Sequence, residues 1–190
     1  MCTRGFPNLL TPSSTLFPRS TGETRIIPEM NISCSGVLSG WTVVGNTRNG
    51  SVDGLFPTLK VFREIITNSQ TYSFVGQVEL GKCGSGVAET SGNNFYTCSL
   101  NEEKWIATQP NDIIGMFLPL QSNSAFELHF ISSTSAPTNY VFMMEDVSSN
   151  VSIPGLPIIK NIPQINLEIT SGTLMHITTL AITMLLPMVS

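Results

Sequence analysis

Thr58-Leu59-Lys60-Val61-Phe62-Arg63 is the stretch that decides the fold class. Leu59, Val61 and Arg63 fall on one face of an extended chain, and Lys60 and Phe62 on the other. That is the two-residue period of a strand, not the 3.6-residue period of a helix. The same texture repeats outward. Upstream, Val37-Leu-Ser-Gly-Trp-Thr-Val-Val44 reads as a strand closed by the turn-rich Gly45-Asn-Thr-Arg-Asn-Gly50. Downstream, Thr71–Leu80 reads as two short strands or one long bent one. Asn94–Leu100 sets Phe95, Thr97 and Ser99 against Tyr96, Cys98 and Leu100. Asp112–Leu118, Ala125–Ile131, Tyr140–Met144 and Ile165–Ile169 complete the series. About eight to ten short strands with turn residues between them predict an all-β antiparallel sandwich, jelly-roll-like.

The strands sort the chain into three parts. Residues 1–25 are rich in Pro, Ser and Thr without a period and are expected to be a disordered leader. Residues 26–169 are the expected sandwich. Residues 170–190 form an uncharged hydrophobic tail, helical if it enters lipid and just long enough for a membrane anchor. Thr173, His176, Thr178, Thr179, Thr183 and Pro187 interrupt that tail, and no Lys or Arg follows Lys160 to supply a positive flank. It therefore reads as a marginal span, a span cut short, or a lipid-anchor signal with Ser171-Gly-Thr173 as its small-residue site. The leader has no apolar stretch of a secretory signal, so the chain is expected to be a fragment or a mis-started gene product, with entry into the secretory pathway through its tail as the alternative.

Composition excludes several function classes. Charged residues are 12% of the 190, against about 25% in an average soluble domain, and the formal net charge is -4. No basic field exists to hold a phosphate backbone, so no nucleic-acid partner is expected. Ser, Thr, Asn and Gly supply the polar surface, as in extracellular sandwiches. The sequons Asn31-Ile-Ser33, Asn49-Gly-Ser51 and Asn150-Val-Ser152 mark Asn31, Asn49 and Asn150 as candidate glycosylation sites.

The four cysteines, Cys2, Cys34, Cys83 and Cys98, form no CxxC pair, so a zinc site has no support. Three pairings are open to them. Cys83–Cys98 is the expected bridge, closing a loop of about 16 residues for roughly 3 kcal/mol in the chain-entropy picture. Cys34–Cys98, joining two sheets, is the runner-up.

No catalytic set emerges, and an enzyme is not expected. Gly81-Lys-Cys-Gly-Ser-Gly86 lacks the Lys-Ser/Thr and following helix of a phosphate loop and reads as a flexible hairpin loop. His129 reads as a partly exposed strand residue facing away from Leu128, and His176 lies in the tail, so no nucleophile finds a base. Glu102-Glu103 and Glu145-Asp146 read as solvated loop charges, with calcium binding as a weak alternative. No cofactor or metal is expected. Trp41 is expected in the core. Trp105 is expected at the core's rim and is the candidate ligand platform, where an exposed indole stacks on a sugar.

Four segments together carry a resemblance. They are Ile32-Ser-Cys-Ser-Gly-Val-Leu-Ser-Gly-Trp41, Pro57-Thr-Leu-Lys-Val-Phe-Arg63, Tyr96-Thr-Cys-Ser-Leu100 and Gln109-Pro-Asn-Asp-Ile-Ile-Gly115. In this order they resemble uncharacterised cell-surface ectodomains of early-branching invertebrates. Those carry a Cys-x-Gly-x-Ile-x-x-Trp start, a Leu-Gln-x-Trp-Arg-like strand and a Pro-Gly-Asp-x-Leu-Gly-like turn. Ala136-Pro-Thr-Asn-Tyr140 matches a further Pro-Thr-Asn-Tyr segment of the group. Phe62 stands for the strand aromatic and Asn111 for the turn glycine, neither expected to alter the fold. The resemblance covers residues 26–169 and implies a β-sandwich displayed before a membrane segment, with no functional residue to carry over. The expected function is cell-surface recognition, adhesion or reception of a protein or glycan, with the membrane met through the tail, or the same domain secreted. The alternatives are an extracellular carbohydrate-active module or hydrolase, or a piece of a larger receptor. Two convergent carboxylates in a cleft would favour the hydrolase.

Overall fold

The computed structural model describes residues 2–5, 22–47, 55–66, 69–83, 87–90, 95–120, 124, 126–132, 139–142, 145–159, 161–163 and 165–170. Among these the chain is an antiparallel β-sandwich, as the alternation predicts. Helix is limited there to two 3-10 turns, Leu80–Lys82 and Glu102–Lys104.

One sheet is built around the long strand β3 (Gly36–Thr47). Its path runs β1 (Cys2–Gly5), β16 (Ile165–Thr170), β3, β7 (Phe95–Ser99), β6 (Val87–Thr90). The short strands β8 (Ile106–Thr108) and β10 (Phe126–Leu128) also pair with β3. The second sheet centres on β4 (Thr58–Glu64) and β9 (Ile113–Leu118). On one side it continues through β5 (Thr71–Glu79) to β13 (Val151–Ser152). On the other it continues through β2 (Glu23–Asn31) and β12 (Asn139–Phe142) to β14 (Ile158–Ile159). A ribbon of β11 (Phe130–Ser132) and β15 (Asn161–Pro163) stands beside them.

The main core lies between the sheets. Leu38, Trp41 and Val43 of β3, Tyr96 and Cys98 of β7 and Leu167 of β16 meet Ile27, Leu59, Val61 and Ile114 of the second sheet. Leu38 and Trp41 are three residues apart, yet both are fully buried in that core. A bulge reconciles them. Gly40 pairs with Glu168 while Leu38 pairs with Ile169, which leaves Ser39 as the extra residue. Ser39 fastens the bulge through its hydroxyl to the Glu168 carbonyl at 3.2 Å and Thr170 Oγ1 at 2.9 Å. Gly40 is required there, because a Cβ would stand 2.8 Å from Glu168 Oε2 and 2.9 Å from the Cys98 carbonyl.

A second, smaller core covers the outer face of the second sheet. Ile26, Phe62, Tyr72 and Ile113 are roofed by Val147, Val151 and Ile153. The face assigned to Lys60 and Phe62 is therefore not a solvent face. Residues 145–153 strap it: the Val147 N–H donates to Thr24 Oγ1 at 3.0 Å, and that hydroxyl donates to the Glu145 carbonyl at 2.7 Å. Lys60, wholly buried, reaches Asp146 Oδ1 at 2.7 Å, donates to Gln77 Oε1 at 2.7 Å and lies over the Phe74 ring. Glu145-Asp146 are thus not simply solvated loop charges.

Two boundaries differ from expectation. Cys2–Gly5 form β1 against β16, and Glu23–Arg25 are buried in β2, so the sandwich starts ahead of residue 26. Glu23 and Arg25 share one strand face, where the Arg25 Nε donates to Glu23 Oε1 at 2.7 Å and the guanidinium stacks over Phe130. Pairing is what lets these charges enter the interior. Thr170 closes β16 rather than opening the tail. Residues 171–190 lie outside the described residues, as do residues 6–21, Asn49 and most of Ala136–Tyr140. Among the described residues no helix is long and apolar enough to cross a membrane.

Candidate functional site

Cys83 and Cys98 are bonded, with Cα atoms 5.3 Å apart. Cys83 follows the 3-10 turn at the end of β5, and Cys98 is in β7, so the bridge ties one sheet to the other. The Cys34–Cys98 alternative is overturned, since Cys98 is occupied by Cys83; Cys34 is itself disulfide-bonded. Gly81-Lys82-Cys83 is accordingly a pinned turn rather than a free loop.

Near this seam β8 and β5 come together. β7 and β8 follow β3 one after the other, separated by Leu100–Trp105 with its 3-10 turn. β5 bends at a bulge: Phe62 pairs with Phe74 and Val61 with Gly76, leaving Val75 unpaired. Gly76 allows close approach, since a Cβ there would stand 3.2–3.3 Å from three atoms of the Ile106 side chain. Among the described residues, β5 beyond Tyr72 has no strand partner on its outer side, and β8 pairs only with β3.

Between these two strand edges lies an open groove of about 610 Å³. Val75–Glu79 form one wall, Glu103–Ala107 the other, and Arg63 closes one end. Trp105 stands in the second wall, 37% exposed. Its indole N–H donates to the Leu100 carbonyl at 3.1 Å, which orients the ring, and its backbone N–H donates to the Glu102 carbonyl at 3.2 Å, which holds the chain beneath it. The candidate platform is exposed, fixed and placed in a groove. Trp41, by contrast, is fully buried, and its indole N–H has no hydrogen-bond partner among the described residues.

Arg63 owes its position to the turn at Gln109–Asp112. Its Nε and Nη2 donate to the two Asp112 carboxylate oxygens at 2.7 and 2.8 Å. Asp112 is buried and also accepts the Gln109 N–H at 2.8 Å. The carboxylate bond holds the Arg63 guanidinium above its usual pKa, against a smaller opposing effect of burial. Asn111 adopts φ 72°, the left-handed conformation for which glycine is the easy choice and Asn a tolerated one. The Asn111 backbone N–H then donates to the Ile32 carbonyl at 2.8 Å, and the Ile32 N–H to the Asp112 carbonyl at 2.7 Å.

The remaining candidates are placed as follows. Asn31 and Asn150 are exposed. Asn31 lines a second hollow of about 450 Å³ with Pro28, Glu64, Gln70, Tyr72 and Asn111. Burial first, then Glu64 and Tyr140, raise the pKa of Tyr72 there. His129 sits between β10 and β11, its backbone N–H donating to the Val44 carbonyl at 2.8 Å. Among the described residues no three His, Cys, Asp or Glu side chains gather to hold a metal ion.

The groove escaped the sequence reading, which had only Trp105. Its walls belong to different sheets, and its other polar residues, Arg63, Gln77, Glu79, Glu103 and Lys104, follow no motif. No protein-family model, no curated protein and no solved structure matches the chain.

Proposed function

We propose that this chain is an extracellular recognition domain that binds a protein or glycan partner in the groove between β5 and Glu103–Ala107, without turning it over. The observation that carries the reading is Trp105, an exposed indole held by a hydrogen bond in the wall of an open cleft bordered by two strand edges that are unpaired among the described residues. An aromatic body with neighbouring hydrogen-bonding groups is what binding sites use for contact and orientation. The Cys83–Cys98 bridge fits an oxidising compartment, and Asn31 and Asn150 offer exposed glycan acceptors there. The domain is read as displayed at the cell surface through its tail, or secreted.

A second reading has one observation behind it. Glu79 and Glu103 stand on opposite walls of the groove, and a pair of carboxylates is what a glycoside hydrolase needs. Glu103 is exposed, however, in a short turn open to water rather than enclosed by apolar side chains. Binding is therefore preferred. The test uses the full chain, as wild type and as Trp105→Ala, applied to cells and read by flow cytometry. Loss of staining with Trp105→Ala is expected, with the near-ultraviolet dichroism of the buried Trp41 retained. Equal staining would remove the groove from the function, and release of reducing sugar abolished by Glu103→Gln would move the protein to the hydrolases.

A further inference from the structure

We infer that the ligand of the groove is a neutral glycan, one of whose pyranose rings stacks on Trp105. The inference rests on the groove being the binding site, and adds the chemistry of what fills it.

A protein partner anchors on well-packed apolar pockets from which water is fully expelled. This groove offers one exposed ring flanked by the half-buried Val75 and the small Ala107, and no deep apolar pocket, because Val78 and Ile106 are already buried in the core. Its remaining side chains, Arg63, Gln77, Glu79, Glu103 and Lys104, are long and polar. Gln77 accepts from Lys60 with its amide oxygen, leaving its NH2 group to donate. Glu103 supplies acceptors, and Lys104 and Arg63 supply donors. A pyranose ring matches that set: one face carries axial C–H groups that pack on an aromatic ring, and its rim carries hydroxyls that donate and accept. A cleft of about 610 Å³ lies within the usual 300–1,000 Å³ range of small-ligand sites.

Charge decides the class of glycan. Glu79 and Glu103 offset Lys104 and Arg63, and the buried Asp112 beneath the Arg63 fork leaves the neighbourhood net negative by one. Two of the guanidinium nitrogens are already spent on Asp112. A sulfated or sialylated chain would meet no unopposed cation. A neutral chain loses nothing by this.

The test takes the full chain and probes it with cellohexaose, laminarihexaose, mannohexaose and chitohexaose, with heparin as the polyanion. Trp105 is exposed and Trp41 buried, so a shift in the exposed tryptophan's emission reports occupancy. The expected result is saturable binding of at least one neutral hexasaccharide, unchanged between about 0.05 and 0.5 M NaCl. Trp105→Ala should weaken it about tenfold or more, and Trp105→Phe by less. Binding of heparin alone, or of none of the neutral sugars, overturns the inference. Cell staining distinguishes this failure from failure of the groove itself. Staining lost with Trp105→Ala but surviving periodate oxidation of the cells means a protein partner in the same groove. Staining unaffected by Trp105→Ala means that the groove is not the site, and both readings fall.

Discussion

Arg63 and Asp112, 49 residues apart in sequence, meet as a two-toothed fork at 2.7 and 2.8 Å. They join the strand segment Pro57–Arg63 to the turn segment Gln109–Gly115. The pair fixes the end of the groove, and the same carboxylate closes the turn through the Gln109 N–H.

Asp112→Ala should therefore disturb both the turn and the groove. The Asp112 side chain is almost fully buried while Arg63 keeps 35% exposure, so the stranded guanidinium can still reach water. A loss of about 2–3 kcal/mol is expected, at or below the lower end for breaking a buried pair. Thermal unfolding should show it as a Tm lower by about 4–12 °C. A Tm within 1 °C of wild type, on the order of a few tenths of a kcal/mol, would mean that the fork contributes nothing.

Lys60 and Asp146 should respond unequally. Asp146→Ala leaves a buried ammonium with Gln77 and the Phe74 ring as its partners among the described residues and should cost about 2–3 kcal/mol. Lys60→Met leaves a half-exposed carboxylate that water can solvate, and should cost less than about 1 kcal/mol or stabilise. Urea midpoints of the two variants measure the asymmetry; equal losses would contradict it.

The same lysine gives a pH signature. Burial lowers its pKa below 10.5, outweighing the attraction of Asp146. In the window below 10.5 the unfolded chain then binds more protons than the native one, so the contribution of Lys60 to stability rises with pH. Tyr72, raised above 10.0 by burial, acts in the opposite sense. Comparison with Lys60→Met cancels Tyr72. Wild type should gain on that variant as pH climbs toward 10.5, and a gap constant over the window would refute the burial argument.

Cys83→Ser with Cys98→Ser, which leaves the Cys34 disulfide in place, should remove about 3 kcal/mol for a loop of this length. The loss should fall on the seam, seen as faster amide exchange in β7 and at the end of β5. Exchange unchanged there would show the two sheets to be held without the bridge.

Made in a secretory host, the protein should carry N-glycans on Asn31 and Asn150, both exposed in the fold. Mass spectrometry after enzymatic deglycosylation, with Asn31→Gln and Asn150→Gln, counts them. Unmodified asparagines at both sites in secreted protein would be the contrary result.

Much of the fold was legible because strands write their two-residue period into the sequence. Tyr96, Cys98 and Leu100 turn inward as the alternation requires, as do Leu59 and Val61. Lys60 and Phe62 were given their correct face, but not what covers it. Nothing local marks residues 145–153 as the roof of that face, since the roof is made by contacts with Lys60 and Thr24 far away in sequence. Ser39 shows the same limit: Leu38-Ser-Gly-Trp41 reads as a strand, and only its pairing with β16 reveals the bulge that turns both Leu38 and Trp41 into the core.

By itself the sequence determined the class of fold and the faces of the regular strands, favoured Cys83–Cys98 over Cys34–Cys98, and singled out Trp105. Those follow from local period, spacing and composition. Tertiary structure alone decided that the bridge joins two sheets, that Asp112 orients Arg63, and that Trp105 stands in a groove with Gln77 and Glu103. The reason is physical. A cleft between strand edges exists only once two sheets pack, and no run of neighbouring residues encodes its walls.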